Sequence, residues 1–165
     1  MLNISVANIN LHQYADAAMR LGAEYLFHLK KMEQIIFTDN AGKAYPFIPP
    51  HTQDNLSKYL YIVFGRCGTA SLSKQTHQVK MEDIQPGDVL LRGGFPGHAA
   101  IVVDVAENDA GNKIYLLAQS YMPAQDIHIL KNPVDTECNP WYRVTNDEWI
   151  ETPEYIFKQN ELKRW

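Results

Sequence analysis

The spacing of apolar residues changes at Pro86-Gly87, and this change constrains the fold more than any other feature of the sequence. Before this point apolar residues recur every three or four positions, as on one face of a helix. After it they form short runs rich in Val, Ile and Leu, separated by turn-forming residues. Helices followed by strands favour an α+β fold, in which an N-terminal central helix packs on an antiparallel β-sheet.

The first helix is predicted from residue 10 to about residue 30. Asn10 is a good N-cap, and Gln13 stands where its side chain can reach back to the cap, so Tyr14 falls in the opening turn. The apolar stripe consists of Leu11, Tyr14, Ala15, Ala18, Leu21, Gly22, Tyr25, Leu26 and Leu29. The residues that we expect the helix to bury are Ala18, Leu21, Leu26 and much of Tyr25.

The remaining elements are predicted from periodicity and turn signals. A second helix should run from about residue 54 to residue 64, and strands should occupy residues 88–92, 98–105, 113–120 and 126–130. Residues 107–112 should close a hairpin between the second and third of these strands. Residues 155–157 are a candidate closing edge strand.

The length and charge of the chain limit its organisation and partners. A chain of 165 residues with 45% hydrophobic residues fits one domain over residues 1–165. A net charge of −4 with no long basic run predicts neither a nucleic-acid nor a membrane surface. Without an apolar span or leader-like start, we expect a cytoplasmic protein, or a periplasmic or envelope protein if a leader was removed. The oligomeric state is left open.

The sequence lacks the residues that define common metal and nucleotide sites. The six histidines form no HExxH motif, and the glycine loop at residues 92–97 lacks the Gly-Lys-Ser/Thr of a phosphate loop. There is also no GxSxG motif. We therefore predict no metal and no cofactor.

His98 and Gln119 form the candidate pair for chemistry. If the hairpin loop is centred near Asp109, residue 98 lies opposite residue 119 or 120, so both side chains can share one face. The glutamine amide oxygen can then accept from one imidazole N–H and leave the other ring nitrogen for a reactant. The other interpretation makes His98 a strand end and Gln119 a polar hairpin residue.

Several segments resemble known families. Residues 86–91 (PGDVLL) and 97–103 (GHAAIVV) resemble the NlpC-type papain-like cysteine hydrolases, which cut amide bonds in cell-wall peptides. Residues 14–21, 93–98 and 116–125 more closely resemble an uncharacterised bacterial domain-of-unknown-function family. The resemblance implies a papain-like (NlpC-type) fold, in which a cysteine in the first turn of a central helix is paired with a histidine.

The nucleophile position is where the chain departs from this resemblance. Members of the resembling family carry Gln-Cys-Ala-Asp where this chain has Gln-Tyr-Ala-Asp, so Tyr14 aligns with the cysteine. A phenol has an ordinary pKa of about 10 against about 8.5 for a thiol, and its ring fills space that an acyl group needs. Tyr14 fits equally well as an aromatic residue on the core stripe of the helix.

Cys67 is the alternative nucleophile. It stands among Gly65, Gly68, Thr69 and Ser71, small residues that would leave a thiol accessible. Lone cysteines are, however, more often buried and inert than reactive. We expect Cys67 and Cys138 to be free thiols.

Arg92, Tyr121 and Gln125 are the predicted substrate-binding residues. The loop 121–125 and Arg92 are expected to line a cleft above His98, where the guanidinium would meet a carboxylate. Arg92 fits equally well as a solvated strand end.

Three functional hypotheses follow. The first is a degenerate papain-like cysteine hydrolase that keeps His98 and Gln119 and binds a peptide or amide-bearing ligand. The second is an active thiol amidase, peptidase or acyltransferase that uses Cys67, with His98 as base and Gln119 as its orienting partner. The third makes the glycine loop and residues 121–125 a protein-interaction surface.

Overall fold

The structure is a computed structural model that describes residues 14–120 and 126–165. Its helices are α1 (Tyr14–His28), α2 (Gln53–Phe64) and α3 (Thr69–Gln75). The first strands along the chain are β1 (Ile36–Thr38), β2 (Ala44–Pro46), β3 (His77–Gln78), β4 (Val89–Arg92), β5 (His98–Glu107) and β6 (Lys113–Gln119). The remaining strands are β7 (His128–Ile129), β8 (Tyr142–Arg143), β9 (Trp149–Glu151), β10 (Ile156–Lys158) and β11 (Leu162–Arg164).

The main sheet is antiparallel and follows the order β3-β11-β4-β5-β6-β7, with β8 paired to β6 beyond the end of β7. Two small antiparallel pairs, β1–β2 and β9–β10, stand apart from it. Helices on an antiparallel sheet are the predicted α+β architecture, which is confirmed. The predicted second helix, the strands at residues 88–92, 98–105 and 113–120, and their hairpin are also found, within a few residues. The strand predicted at residues 126–130 is reduced to the short β7.

Helix α1 packs on the sheet through small side chains. Its buried residues are Ala15, Asp16, Ala17, Ala18, Met19 and Ala23. The prediction that much of Tyr25 is buried is wrong, because this side chain is 64% exposed. Leu21 and Leu26 are only half-buried against the core. Alanines let a helix approach a sheet closely, so the alanine face rather than the leucine and tyrosine face is turned inward. The predicted N-cap at Asn10 lies outside the described residues.

The two faces of the main sheet carry separate cores. The helix-side core joins α1, α2 and α3 to one face of the sheet and includes Val89, Leu91, Ala99, Ile101 and Ala118. The second core covers the other face with the C-terminal segments and includes Leu90, Ala100, Val102, Leu117, Phe157 and Leu162. Alternate residues of β4 and β5 thus point into different cores, as the two-residue period of a strand requires.

A β-bulge interrupts the pairing of β5 with β6. On the loop side, Asp104 is paired with Leu116, whereas on the other side Val102 is paired with Leu117. Val103 is therefore an extra residue in β5, and the register shifts by one position there.

The bulge places Gln119 on the same face as His98. Beyond the bulge Ile101 is paired with Ala118, so the next pair sets Gln119 opposite Ala100, on the face that His98 shares. If the register of the loop side continued instead, Gln119 would stand opposite Ile101, on the opposite face of the sheet from His98. The prediction that residue 98 stands opposite residue 119 or 120 is therefore off by one or two positions. The hairpin is centred on Ala110 rather than Asp109, and the bulge was not visible in the sequence.

The C-terminal region supplies a strand to the middle of the sheet. β11 lies between β3 and β4, and Leu162 is fully buried there. Arg164 donates two hydrogen bonds to the carboxylate of Asp88, from Nε to Oδ1 at 2.7 Å and from a terminal nitrogen to Oδ2 at 2.9 Å. The candidate closing strand at residues 155–157 corresponds to β10, which pairs with β9 and does not join the main sheet.

In residues 14–120 and 126–165, none of the helices has both the length and the apolar character needed to cross a membrane.

Candidate functional site

The site is centred on a buried hydrogen bond between two strands. His98 begins β5 and Gln119 ends β6, and the imidazole Nε2 lies 2.9 Å from the amide Oε1. Both residues are buried, with 3% and 0% of their surface exposed. The structure thus brings the two predicted residues together, as diagonal neighbours on one face of the sheet.

Two tyrosine rings contact the His98 imidazole. Tyr14, the first described residue of α1, has its ring centroid 4.3 Å from that of His98 at an interplanar angle of 48°. Tyr155 stacks on His98 with centroids 4.4 Å apart and planes inclined by only 4°. Phe157 lies further away, at 5.6 Å. Aromatic side chains from both ends of the chain therefore enclose the histidine.

A turn between β9 and β10 delivers Glu154 and Tyr155 to the site. Thr152 holds this turn, because its backbone N–H and its hydroxyl both donate to the carbonyl oxygen of Tyr155, at 2.8 Å and 2.7 Å. Glu154 then accepts a hydrogen bond of 2.8 Å from the Gln119 amide nitrogen. The result is a hydrogen-bonded chain of three side chains, from His98 through Gln119 to Glu154.

Burial dominates the titration of His98. Removal of the imidazole from water lowers its pKa below the ordinary value, while the hydrogen bond to Gln119 and the charge of Glu154 act in the opposite direction. The ring is therefore neutral at physiological pH. A neutral imidazole has one N–H donor and one acceptor nitrogen, as a base or a hydrogen-bonding group for a ligand requires.

An open cleft of about 490 Å³ lies beside this arrangement. Its walls come from α1, the end of α2, the start of α3, the glycine loop and the β9–β10 turn. The lining residues are Tyr14, Ala15, Asp16, Phe64, Cys67, Gly68, Thr69, Gly94, Phe95, Pro96, Gly97, His98, Glu154 and Tyr155. The cleft wall thus combines four phenylalanine and tyrosine rings with small residues, and the described residues that line it include two carboxylates and no lysine or arginine.

Cys67 lines the same cleft, but its environment does not favour the thiolate form. The residue is buried, with 7% of its surface exposed. Burial, with further contributions from the charges of Asp39 and Asp16, raises the pKa of the Cys67 thiol to about 11. A reactive cysteine needs the opposite shift.

The glycine loop packs against the start of α3. A side chain at Gly93 would collide with Ser73, and one at Gly97 would collide with Thr69 and the backbone of the loop itself. Gly94 has a φ of 133°, which side-chain-bearing residues rarely adopt. These constraints present Phe95 to solvent, where it is 93% exposed at the rim of the cleft.

Arg92 contacts a carboxylate of the chain itself. Its guanidinium forms a two-pronged pair with Glu161, at 2.5 Å and 2.8 Å, and donates to the Tyr155 hydroxyl at 3.2 Å. This pairing holds Tyr155 against His98. The assignment of Arg92 to substrate binding stays a prediction. Tyr121 and Gln125 lie outside the described residues.

The described part of the chain offers no group of three or more His, Cys, Asp or Glu side chains that could hold a metal ion. Cys67 and Cys138 are both free thiols.

Sequence reasoning missed Glu154 and Tyr155. They follow β9 in a Thr-Pro-Glu-Tyr segment, and the threonine and proline are typical of a turn. That signal locates a turn, but nothing local indicates that the turn lies against a histidine 56 positions earlier in the chain.

The fold and site define a class of protein: an α+β chain in which a helix and a C-terminal turn enclose a buried His–Gln pair beside an open cleft. Within that class, residues 48–164 match the family described as domain of unknown function (4846), and the chain belongs to this family. The match includes the glycine loop, His98 and Gln119, whereas Tyr14 precedes it. No curated protein and no solved structure matches the chain. The predicted resemblance to a family of unknown function is thus confirmed.

Proposed function

We propose that this chain is a papain-like domain of NlpC type that has lost its nucleophile and binds a peptide or amide-bearing ligand in the cleft beside His98. The observation that carries the proposal is the contact of the Tyr14 ring with the imidazole, at 4.3 Å between centroids. In a papain-like hydrolase the catalytic cysteine occupies the start of a helix that faces the histidine. Tyr14 holds the equivalent place here.

Tyr14 is unsuited to the cysteine's task. A phenol with an ordinary pKa of about 10 is almost wholly protonated at neutral pH, and a ring this close to the imidazole occupies the space of an attacking sulfur and its acyl group. The base and its orienting glutamine are retained, while the group on which the base would act is absent. Such a site can bind an amide without cleaving it.

The cleft supports a ligand of peptide size. A volume of about 490 Å³ falls within the range of small-molecule and short-peptide sites. Its aromatic wall offers apolar contact area, and His98, Thr69 and Glu154 offer hydrogen-bonding groups to amide N–H and C=O groups. Without basic side chains among its described lining, the cleft favours neutral or amine-bearing ligands over free carboxylates.

An active thiol hydrolase or acyltransferase that uses Cys67 is the second candidate. It is favoured by one observation, namely that Cys67 and His98 line the same cleft. The pKa of the Cys67 thiol, which burial raises to about 11, weighs against it. The exposed Phe95 similarly keeps open the third candidate, a protein-interaction surface on the glycine loop.

The proposal includes no metal, cofactor, nucleic acid or membrane partner.

Thiol labelling separates the first two candidates. Iodoacetamide labelling rates should be measured from pH 6 to pH 10 for the native protein, Tyr14→Cys, and Tyr14→Cys combined with His98→Ala. We expect slow labelling of Cys67 at neutral pH, because a pKa of about 11 leaves on the order of a hundred-fold less thiolate than a free cysteine has. The thiol introduced by Tyr14→Cys should label faster than a free cysteine, and His98→Ala should remove this gain.

A Cys67→Ser background identifies the labelled residue, and Cys138→Ser is the matched control. Rapid labelling of Cys67 that depends on His98, together with hydrolysis of peptide amides by the native protein, would favour the active-enzyme alternative. If the thiol introduced by Tyr14→Cys reacts no faster than a free cysteine, position 14 is an ordinary core position and the proposed site is removed.

A further inference from the structure

The hydrogen bond from Gln119 to Glu154 determines which end of the Gln119 amide faces His98. An ionised carboxylate can only accept hydrogen bonds, so the Gln119 group facing Glu154 must be the amide NH₂. The other end of that amide, the Oε1 atom, then faces His98 Nε2 at 2.9 Å. An amide oxygen can only accept, so Nε2 must carry the imidazole proton.

We propose that Glu154 is a positioning residue that sets the tautomer of His98, holding the proton on Nε2 and the lone pair on Nδ1. It acts through Gln119 and need not touch a ligand. The protonated nitrogen is turned into the buried bond, and Nδ1 becomes the basic nitrogen of the ring. A site that binds N–H groups of amides or amines needs this acceptor nitrogen.

The location of Glu154 fits this role. Gln119 is fully buried, so its amide could not be oriented by bulk water. Glu154, in contrast, is exposed on the turn held by Thr152, and its carboxylate reaches the far side of the amide at 2.8 Å. The titratable groups in ring contact with the imidazole are the phenols of Tyr14 and Tyr155. Because the Glu154 carboxylate accepts from the Gln119 amide nitrogen, it fixes which way that amide points.

The inference rests on the proposed function only for the use of Nδ1 in ligand binding. The tautomer itself is a property of the unliganded chain, so it can be tested without a ligand. A failed tautomer test and a failed binding test are therefore distinguishable.

The tautomer can be read by nuclear magnetic resonance. In ¹⁵N-labelled protein at pH 8, long-range ¹H–¹⁵N correlations distinguish a protonated from an unprotonated ring nitrogen, and contacts with the Tyr155 ring assign the His98 signals. We expect the native protein to show Nε2 protonated and Nδ1 unprotonated. Glu154→Gln should populate both tautomers, because its amide can either accept from or donate to Gln119. Glu154→Lys, which can only donate, should favour the Nδ1-protonated tautomer.

Glu151→Gln is the matched control, since Glu151 is an exposed glutamate of the same hairpin and should leave the His98 signals unchanged. A native protein with the proton on Nδ1 would overturn the proposal. So would Glu154→Gln and Glu154→Lys variants that are folded and keep the native tautomer in full.

Discussion

His98 combines a polar role with an apolar environment. Its ring is enclosed by tyrosines, and its hydrogen bond to Gln119 is buried. Such burial disfavours the charged form of the imidazole, so His98 is a neutral base. The same burial makes the folded protein less stable at low pH, where the imidazole would be protonated. This is a common property of residues that are retained for binding or catalysis rather than for packing.

The lowered pKa of His98 predicts an acid-sensitive contribution to stability. Below the ordinary pKa of about 6.5, the unfolded chain takes up a proton that the folded site resists, so the unfolding free energy should fall as the pH drops. The slope from this one residue is at most about 1.4 kcal/mol per pH unit, and it ends at the folded-state pKa.

Urea denaturation between pH 7.5 and pH 5 measures this slope. His98→Gln should make the curve shallower in this window whatever its effect on overall stability, and the exposed His77→Gln variant is the matched control. An unchanged slope in His98→Gln would contradict the lowered pKa.

At the scale of elements, α1 shows how small side chains determine which face of a helix is buried. Met19 is fully buried among alanines, whereas Tyr25 on the predicted stripe is 64% exposed. We expect Met19→Ala to lower the unfolding free energy by about 2–5 kcal/mol, the range for large-to-small changes in a core. Tyr25→Ala should cost well under that, because little of its surface is removed from water on folding. Thermal or urea unfolding of the two variants measures both values.

Equal losses from the two substitutions would contradict this orientation of α1. A loss confined to Tyr25→Ala would mean that the helix is rotated so that the leucine and tyrosine stripe faces the sheet.

The elements differ in how far the sequence specifies them. The hairpin of β5 and β6 was predictable, because it has strong apolar runs around turn-forming residues. The face shared by His98 and Gln119 was predicted, yet by a register that ignored the bulge at Val103. A bulge depends on packing against both faces of the sheet, and no local pattern marks it here.

The missed parts of the site have a similar cause. Glu154, Tyr155 and the place of β11 all depend on contacts between segments that are distant in sequence. Three-residue strands such as β9, β10 and β11 are too short to show a clear period. Tertiary pairing, rather than local preference, fixes their position.

At the scale of the whole molecule, the ion pair between Asp88 and Arg164 fixes the C-terminal strand in the sheet. The Asp88 side chain is fully buried, and Arg164 is the cation that contacts it. We expect Arg164→Ala to lower the unfolding free energy by about 3 kcal/mol, because it leaves a carboxylate buried without its charged partner.

Arg143→Ala is the control, since its pair with Asp135 lies at the surface and should contribute far less to the unfolding free energy. The free energies are measured by urea denaturation at pH 7. Equal effects of the two substitutions would show that the Asp88 pair does not anchor β11.

The position of β11 has a consequence for the synthesis of the protein. Proteins leave the ribosome from the N-terminus, at about 5–20 residues per second, and β4 emerges well before β11 does. Until Leu162–Arg164 has emerged, the edge of β4 has no strand on that side, and the Asp88 carboxylate has no guanidinium. An unpaired, apolar edge strand is a template for pairing with other chains. A nascent chain that stalls before residue 162 is therefore expected to be the form of this protein most in need of a chaperone.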